Sequence, residues 1–444
     1  MARAQVTQGI IHPFRRLWPA AAMAGGTGIT ASLFSISRLS QHDFPDILTG
    51  FTVAFACYLL VLTVASRLSL SAVLIGAVVL RLSVMTQPPA LSDDYHRFWW
   101  DSYLVMHGEN PYLTKPEQWT VTENSESHLA EAQKRMNSAS WFTVYPPVAL
   151  GIWSLGHELG QEAMQWITGV RIIYLLFDIG TIILLYRWLI QRNMATGLAS
   201  VFAWNPLVVM EGIGNLHPET IMIFFLVAFV QAAEQRYIKR SGLLLGLAAG
   251  TKLLPLIALP FLVKLWGWKK TGITACITAL TLVILFIPFL NGELIAHLAQ
   301  SLNLYFRHFE FNASLYFLVR SITTAWKGYN LIAWTGPALA LLSAIVILMI
   351  AYRNPKEQWW RGLLIAWLVY LIGATTVHPW YILPLVALGN LSLHWWPVVW
   401  SFTVVCSYSH YGGNPSMGWI TAEYILLMMA IPAGIIRFRS STTS

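Results

Sequence analysis

Charge is what this sequence has least of. Only 11% of its 444 residues are Asp, Glu, Lys or Arg while 56% are hydrophobic, against about 25% charged in an ordinary soluble domain. Water cannot be the solvent for most of such a surface, which excludes a soluble globular enzyme. Cysteine is almost as scarce. Cys57, Cys276 and Cys406 each sit in an apolar run without CxxC spacing, so a disulfide or metal framework has no support and buried structural thiols are expected. A Walker-type phosphate loop and a strand-bounded GxGxxG are both missing, so the chain is not expected to bind a nucleotide. The N-terminus lacks a short apolar region followed by a small-residue cleavage site, and it reads as retained. No long polar stretch follows the last apolar run, which excludes an appended soluble domain. The net charge of +8 comes from basic residues standing singly or in pairs between apolar runs. That is topology information, and nucleic acid is not an expected partner.

What the chain has instead is apolar runs of membrane-spanning length. They lie near 17–37, 48–66, 68–87, 168–190, 196–212, 217–235, 272–290, 331–352, 361–377, 379–393, 395–409 and 418–436. Residues 242–267 carry Lys252 and Pro255 at their centre and read as a hairpin of two shorter helices; 148–160 reads as a short or interfacial helix. The expectation is an all-α, polytopic transmembrane bundle of about 13 to 14 helices in the lipid bilayer, forming one domain over 1–444. With both termini in the cytoplasm, the inner connections hold 17 of the 28 basic residues but only Glu234 and Glu357 of the 20 acids, as the positive-inside rule requires.

The remaining polar segments then face outward: a first loop at 88–147, a second at 291–330, and short edges at Gly214–Glu219, Val377–Tyr381 and Ser407–Trp419. Leu294, Leu298, Leu302, Tyr305, Phe306 and Phe309 recur at helical spacing and predict a helix lying in the interface. Trp99, Trp100, Trp141, Trp380 and Trp419 flank these edges and read as interfacial anchors.

The sharpest feature is Ser92-Asp93-Asp94-Tyr95-His96-Arg97-Phe98-Trp99-Trp100-Asp101. Adjacent carboxylates at a membrane surface repel, and desolvation raises the pKa of one further. Such a group suits general-base work on a hydroxyl; the alternative is a solvated acidic loop start. Arg97, Arg307, His308 and Arg320 lie in the outward segments, where they could hold an anionic group or meet lipid headgroups. Lys252 within an apolar run is either a functional intramembrane cation or the tip of a cytoplasm-facing hairpin. Glu211, His217 and His378 fall at outer ends of spans, and Glu211 in apolar surroundings favours a cavity-facing position. Scattered His and Asp residues give no metal-ligand spacing, so no metal or other cofactor is expected.

The run DDYHRFWWDSYLVMHGENPY, followed by Tyr145-Pro146-Pro147, resembles the first external loop of GT-C class glycosyltransferases that use polyprenyl-phosphate sugars, including the GPI mannosyltransferases. The resemblance continues in order through Trp204-Asn205-Pro206-Leu207, Gly214-Asn215-Leu216-His217-Pro218-Glu219, the Gly246–Pro255 stretch, Glu310–Ser314 and Val377-His378-Pro379-Trp380-Tyr381. It implies transfer of a hexose, mannose foremost, from a polyprenyl-phosphate donor to a glycolipid or glycan acceptor on the extracytoplasmic face. The aspartate acting as general base then matches Asp94, with Asp93 its close competitor, and Tyr95, His96 and Tyr381 join the candidate substrate-binding residues. The family's Gly-Asn-Gly-His-Asn-Asp reads Gly-Asn-Leu-His-Pro-Glu here, which leaves Glu219 without an assigned role. Two other readings stand beside this one. A secondary transporter or lipid-linked sugar flippase would use interrupted helices with midplane charge. A sugar-lipid ligase would use a diphosphate donor.

Overall fold

The computed structural model describes residues 17–119, 127–160, 162–412 and 416–433. The N-terminal segment read as retained, and Arg3, Arg15, Arg16, Arg437 and Arg439 of the charge count, lie outside the described residues. The fold is all-α, and the described residues contain no strand beyond an isolated bridge between Phe311 and Thr376. The first helices are α1 (Trp18–Ile36), α2 (Phe44–Val64), α3 (Leu70–Val84), α4 (Asp94–Met106), α5 (Ser127–Arg135), α6 (Pro147–Leu159) and α7 (Ala163–Gln191). After a short α8 (Ser200–Ala203) and a π-helix at Val208–Gly214 come α9 (Glu219–Glu234), α10 (Ile238–Ala249), α11 (Leu259–Trp266) and α12 (Trp268–Phe286). The chain ends in α13 (Leu294–Arg307), α14 (Leu315–Lys327), α15 (Ile332–Arg353), α16 (Trp359–Gly373), α17 (Leu383–Ser392), α18 (Trp396–Thr403) and α19 (Met417–Ala433).

Among the described residues, four helices are long and apolar enough to cross a membrane: Phe44–Arg67, Ala163–Gln191, Trp268–Phe289 and Ile332–Arg353. The π-helix and α9 together make a fifth, bent by 115° at Asn215–Pro218. This is a polytopic helical membrane protein.

Several runs that read as single spans are broken. The 196–212 run ends its α-helix at Ala203 because Asn205 precedes Pro206, a position that disfavours helical backbone. The Asn205 Oδ1 then accepts from the Leu207 and Val208 amides at 3.0 and 3.3 Å and starts the π-helix. The 379–393 and 395–409 runs shrink to the short helices α17 and α18 with 3₁₀ turns at Pro379–Ile382 and Val404–Gly412. The 242–267 hairpin is present, as α10 and α11 around a break at Gly250–Leu253.

Buried charge and aromatic packing knit the bundle. Arg81 on α3 pairs with Asp178 on α7 at 2.8 Å, both fully enclosed, and its Nη1 donates to the carbonyl of Ala203. Alone, either charge would be costly at this depth. Gly76 of α3 lets Trp204 lie flush, since a Cβ there would meet the indole at 2.0 Å, and Trp204 Nε1 donates to the Val73 carbonyl at 3.0 Å.

Two expectations need correction. Trp99, Trp100 and Trp380 are buried, not interfacial; only Trp419 of the five is well exposed. Trp99 and Trp100 face inward because α4 folds back onto α6, where Phe98 stacks on Trp153 at 4.2 Å, and Trp380 because its turn stacks it on His217 at 3.7 Å. Cys276 is exposed, not buried, since it lies on α12, which other helices cover on one side only. The expected amphipathic helix at 293–309 is α13, tied to the 88–147 segment by His297, which stacks on Phe142 at 3.7 Å and bonds the Tyr112 carbonyl at 2.8 Å.

One end of the bundle is basic: Arg192 pairs with Glu234 at 3.1 Å, Trp359 donates to Glu234, and Lys264 donates to the Tyr352 carbonyl at 2.7 Å. Glu219 stands at the opposite end of α9 from Glu234.

Candidate active site

The site is built where helices start or stop. Helix α4 begins at Asp94 and α9 at Glu219, while the α10–α11 break carries Lys252. Asp94 is half-buried, and Asn137 Nδ2 donates to its Oδ1 at 3.4 Å. Burial pushes its carboxyl above the usual range, as does Glu219 to a lesser degree, while His217, Asn137 and Lys252 pull the other way. The sequence reading had this sign from desolvation and like charge; here Glu219, not Asp93, supplies the repulsion.

Lys252 Nζ donates to Glu219 Oε1 and lies 3.9 Å from the centroid of the Tyr381 ring. The pair puts Lys252 beside Glu219 at the start of α9. Helix α10 has 12 residues, about 18 Å at 1.5 Å per residue, and it delivers Lys252 to the same end as Asp94. Its break is held by the Val148 amide, which donates to the Gly250 carbonyl at 2.8 Å. Glu219 is 1% exposed and its Oε2 has no partner among the described residues.

Glu211, on the π-helix, is fully buried. Its carboxylate accepts from Tyr408 and from Asn215 Nδ2 (3.2 Å), and His217 Nε2 lies 3.2 Å away. Such π-turns concentrate at functional sites. His217, Trp380, His378 and Phe311 form a column of rings with successive centroids 3.7, 4.4 and 4.5 Å apart. His217 Nδ1 and His378 Nδ1 are buried without partners among the described residues, and such atoms are rare in native interiors.

Asp94, Glu211, His217, Lys252, His378 and Tyr381 are thus brought together. Asp93 turns elsewhere: its Oδ2 accepts from Gln41 Nε2 at 2.9 Å, beside the rings of Tyr95 and His96, tilted against each other with centroids 4.0 Å apart. Arg97 has another task. Its Nε binds Asp101 at 2.8 Å, both side chains buried, and its Nη1 donates to the half-buried Ser138 and Trp141 carbonyls at 2.9 and 2.8 Å, so it fastens the segment that bears Asn137. Arg320 pairs with Glu310 at 2.5 Å, and Arg307 and His308 are exposed at the end of α13. No group of three or more His, Cys, Asp or Glu able to hold a metal occurs among the described residues.

Sequence reasoning passed over Arg171. Buried in α7, it donates to the carbonyls of Met85, Gln87, Ile213 and Gly214. It thereby joins the strap entering Asp93-Asp94 to the π-helix that presents Glu211 and His217. A cation inside an apolar run was the available signal.

Residues 23–268, more than half of the chain, match the family model MptA_B, described as alpha-(1->6)-mannopyranosyltransferase, N-terminal domain. The match includes Asp93, Asp94, Arg171, Glu211, His217, Glu219 and Lys252. No curated protein matches the chain.

Proposed function

Because the chain belongs to the MptA_B family of alpha-(1->6)-mannopyranosyltransferases, we propose that it moves mannose, with inversion, from a polyprenyl-phosphate donor to a hydroxyl of a glycolipid or glycan. The observation that carries this reading is the convergence of Asp94 with the Lys252–Glu219 pair. Asp94 accepts the acceptor's hydroxyl proton while that oxygen attacks the anomeric carbon. As the new carbon–oxygen bond forms, the bond to phosphate breaks, and polyprenyl phosphate leaves with the electron pair. Attack opposite the leaving group inverts the centre, so the alpha linkage of the family's name requires a β-linked donor.

The raised pKa of Asp94 makes it a stronger base than an ordinary carboxylate. Lys252 exchanges part of its attachment to Glu219 for the departing phosphate, supplying charge where charge develops. The donor's tail lies between helices beside the α10–α11 break, and α13 borders the acceptor approach with Arg307 toward headgroups. Tyr381, beside Lys252, and the His217–His378 column line the sugar's binding space.

The arrangement of charge supports an extracytoplasmic site in the cell membrane: the basic end of the bundle would face the cytoplasm, with 88–147 and 291–330 outside, in a single transferase domain over 1–444. The test is incubation of the purified protein in nanodiscs with radiolabelled polyprenyl-phosphate mannose and a mannose oligosaccharide. Transfer by the wild type and its loss in Asp94→Asn is the expected result. Equal transfer by an Asp93→Ala/Asp94→Ala double variant overturns the mechanism.

A further inference from the structure

A cleft of 540 Å³ opens beside Asp93, within the range of about 300–1,000 Å³ of ligand pockets. One wall is the turn between α1 and α2, Arg38 to His42; the other combines Pro88–Ala90 with Asp93, Tyr95 and His96, and Arg135 closes the rim. The two walls are latched. Gln41, itself buried, donates its amide N–H to the Ala90 carbonyl at 3.0 Å and its Nε2 to Asp93 at 2.9 Å. His42 Nδ1 lies 2.6 Å from the Tyr411 carbonyl and joins the same turn to the edge of the active-site cluster.

The lining is suited to hydroxyl groups, not to an anion. Arg135 is paired with Glu131 at 2.9 Å, Arg38 sits over the Phe34 ring at 4.2 Å, and Asp93 would repel negative charge. What remains is the second oxygen of Asp93, with the Ser40 hydroxyl, the Tyr95 phenol and the imidazoles of His42 and His96, groups that hydrogen-bond polyols. Asp93 faces this cleft, while its neighbour Asp94 faces Asn137, His217 and Lys252.

We infer that this cleft is the acceptor site and that it takes the end of a neutral, mannose-type glycan. The glycan's hydroxyl passes from Asp93's side to Asp94, and the donor phosphate arrives from the side of Lys252. The inference rests on the reading of Asp94 as the base and extends it to the acceptor.

The test uses Ser40→Trp and Pro88→Trp, two exposed positions on opposite walls, each filling the cleft without touching the core. In transfer assays both should raise acceptor KM about tenfold or more, the loss expected for one or two hydrogen-bonded contacts, with donor KM within about twofold. Acceptor KM unchanged in both variants overturns the proposal, as does an equal rise in donor KM. Binding of an unlabelled mannose oligosaccharide to the purified protein, followed by saturation-transfer NMR, separates this from the reading beneath it. Binding lost in both variants supports the cleft even if the wild type transfers nothing from polyprenyl-phosphate mannose. Binding equal in wild type and both variants overturns it whatever the activity.

Discussion

Asp94→Asn is the decisive perturbation, because it removes one ionisable proton site and little else. The amide keeps the side chain's shape and can still accept from Asn137 Nδ2, now at 3.4 Å from Oδ1. A positioned general base contributes about 10²–10⁴-fold, so kcat/KM should fall by that factor, about 2.7–5.4 kcal/mol at 1.36 kcal/mol per decade. Stability should move the other way. Burial holds the folded carboxyl above its ordinary pKa, so between the two values the folded chain binds more protons and stability falls as pH rises. The destabilisation is fully present above the folded pKa and absent below the ordinary value near about 4; asparagine never ionises. Tm of the variant should therefore exceed that of the wild type at pH 7, and the gap should close as pH falls through the folded pKa. Wild-type kcat/KM should decline over the same interval as Asp94 becomes protonated. An Asn variant retaining activity within about tenfold, or melting below the wild type at pH 7, would refute the reasoning.

Lys252→Met should raise donor KM and lower Tm, because Glu219 loses its partner; breaking a fully buried pair costs about 3–5 kcal/mol, and less is expected here since the Lys252 side chain is 31% exposed. Adding Glu219→Gln should restore Tm but not donor KM, which thermal unfolding and initial rates will separate. Arg97→Met leaves Asp101 buried at 1% exposure and should cost about 3–5 kcal/mol in thermal unfolding, with donor KM close to wild type in the protein that stays folded. A specific rise in donor KM without loss of Tm would instead assign Arg97 to the phosphate. Arg171→Lys keeps the charge but cannot reach four carbonyls from one ammonium; at about 1.5–3 kcal/mol per charged hydrogen bond, kcat should fall about tenfold or more with acceptor and donor KM little changed. Wild-type kcat in that variant would end the case for Arg171 as a positioning residue.

The fold class was legible because membrane solvation acts on composition: runs of apolar residues report their environment directly. Where the helices break was legible only in part. Pro255 marked one interruption, yet Asn205-Pro206 inside the 196–212 run has the same local signature and was read through, because hydropathy averages over such steps. Tryptophan misled for a related reason. Its enrichment at membrane edges does not distinguish Trp419, which is exposed, from Trp99 and Trp100, which α4 itself carries into the interior. At the site, the ordered motifs brought Asp94, His217, Lys252 and His378 into view. The pairings of Gln41, Asn137 and Arg171 were not visible, because each acts across 42 to 86 residues of chain, and no periodicity encodes such a pairing.

The broken helices and the buried acids have a common cause. Glu211, His217 and Glu219 are 0–1% exposed, and charged groups at membrane depth persist only when they face protein or a water-filled cavity. A continuous helix carries its backbone past such a site with every amide already bonded; a helix that stops there frees carbonyls and amides that lipid cannot satisfy. The chain satisfies them from within. Arg171 takes the carbonyls of Ile213 and Gly214 where the π-helix ends, and Val148 takes that of Gly250 where α10 ends. Phe311 exchanges bonds of 3.0 and 2.8 Å with Thr375 and Val377 before His378. Every one of these closures adjoins a residue of the candidate site. The breaks therefore do not weaken the bundle at random: they let side chains from seven separated stretches of sequence meet at a depth where lipid is excluded, and they fix the direction of each by a bond to backbone. That is why single buried donors such as Arg171 should govern turnover without touching substrate.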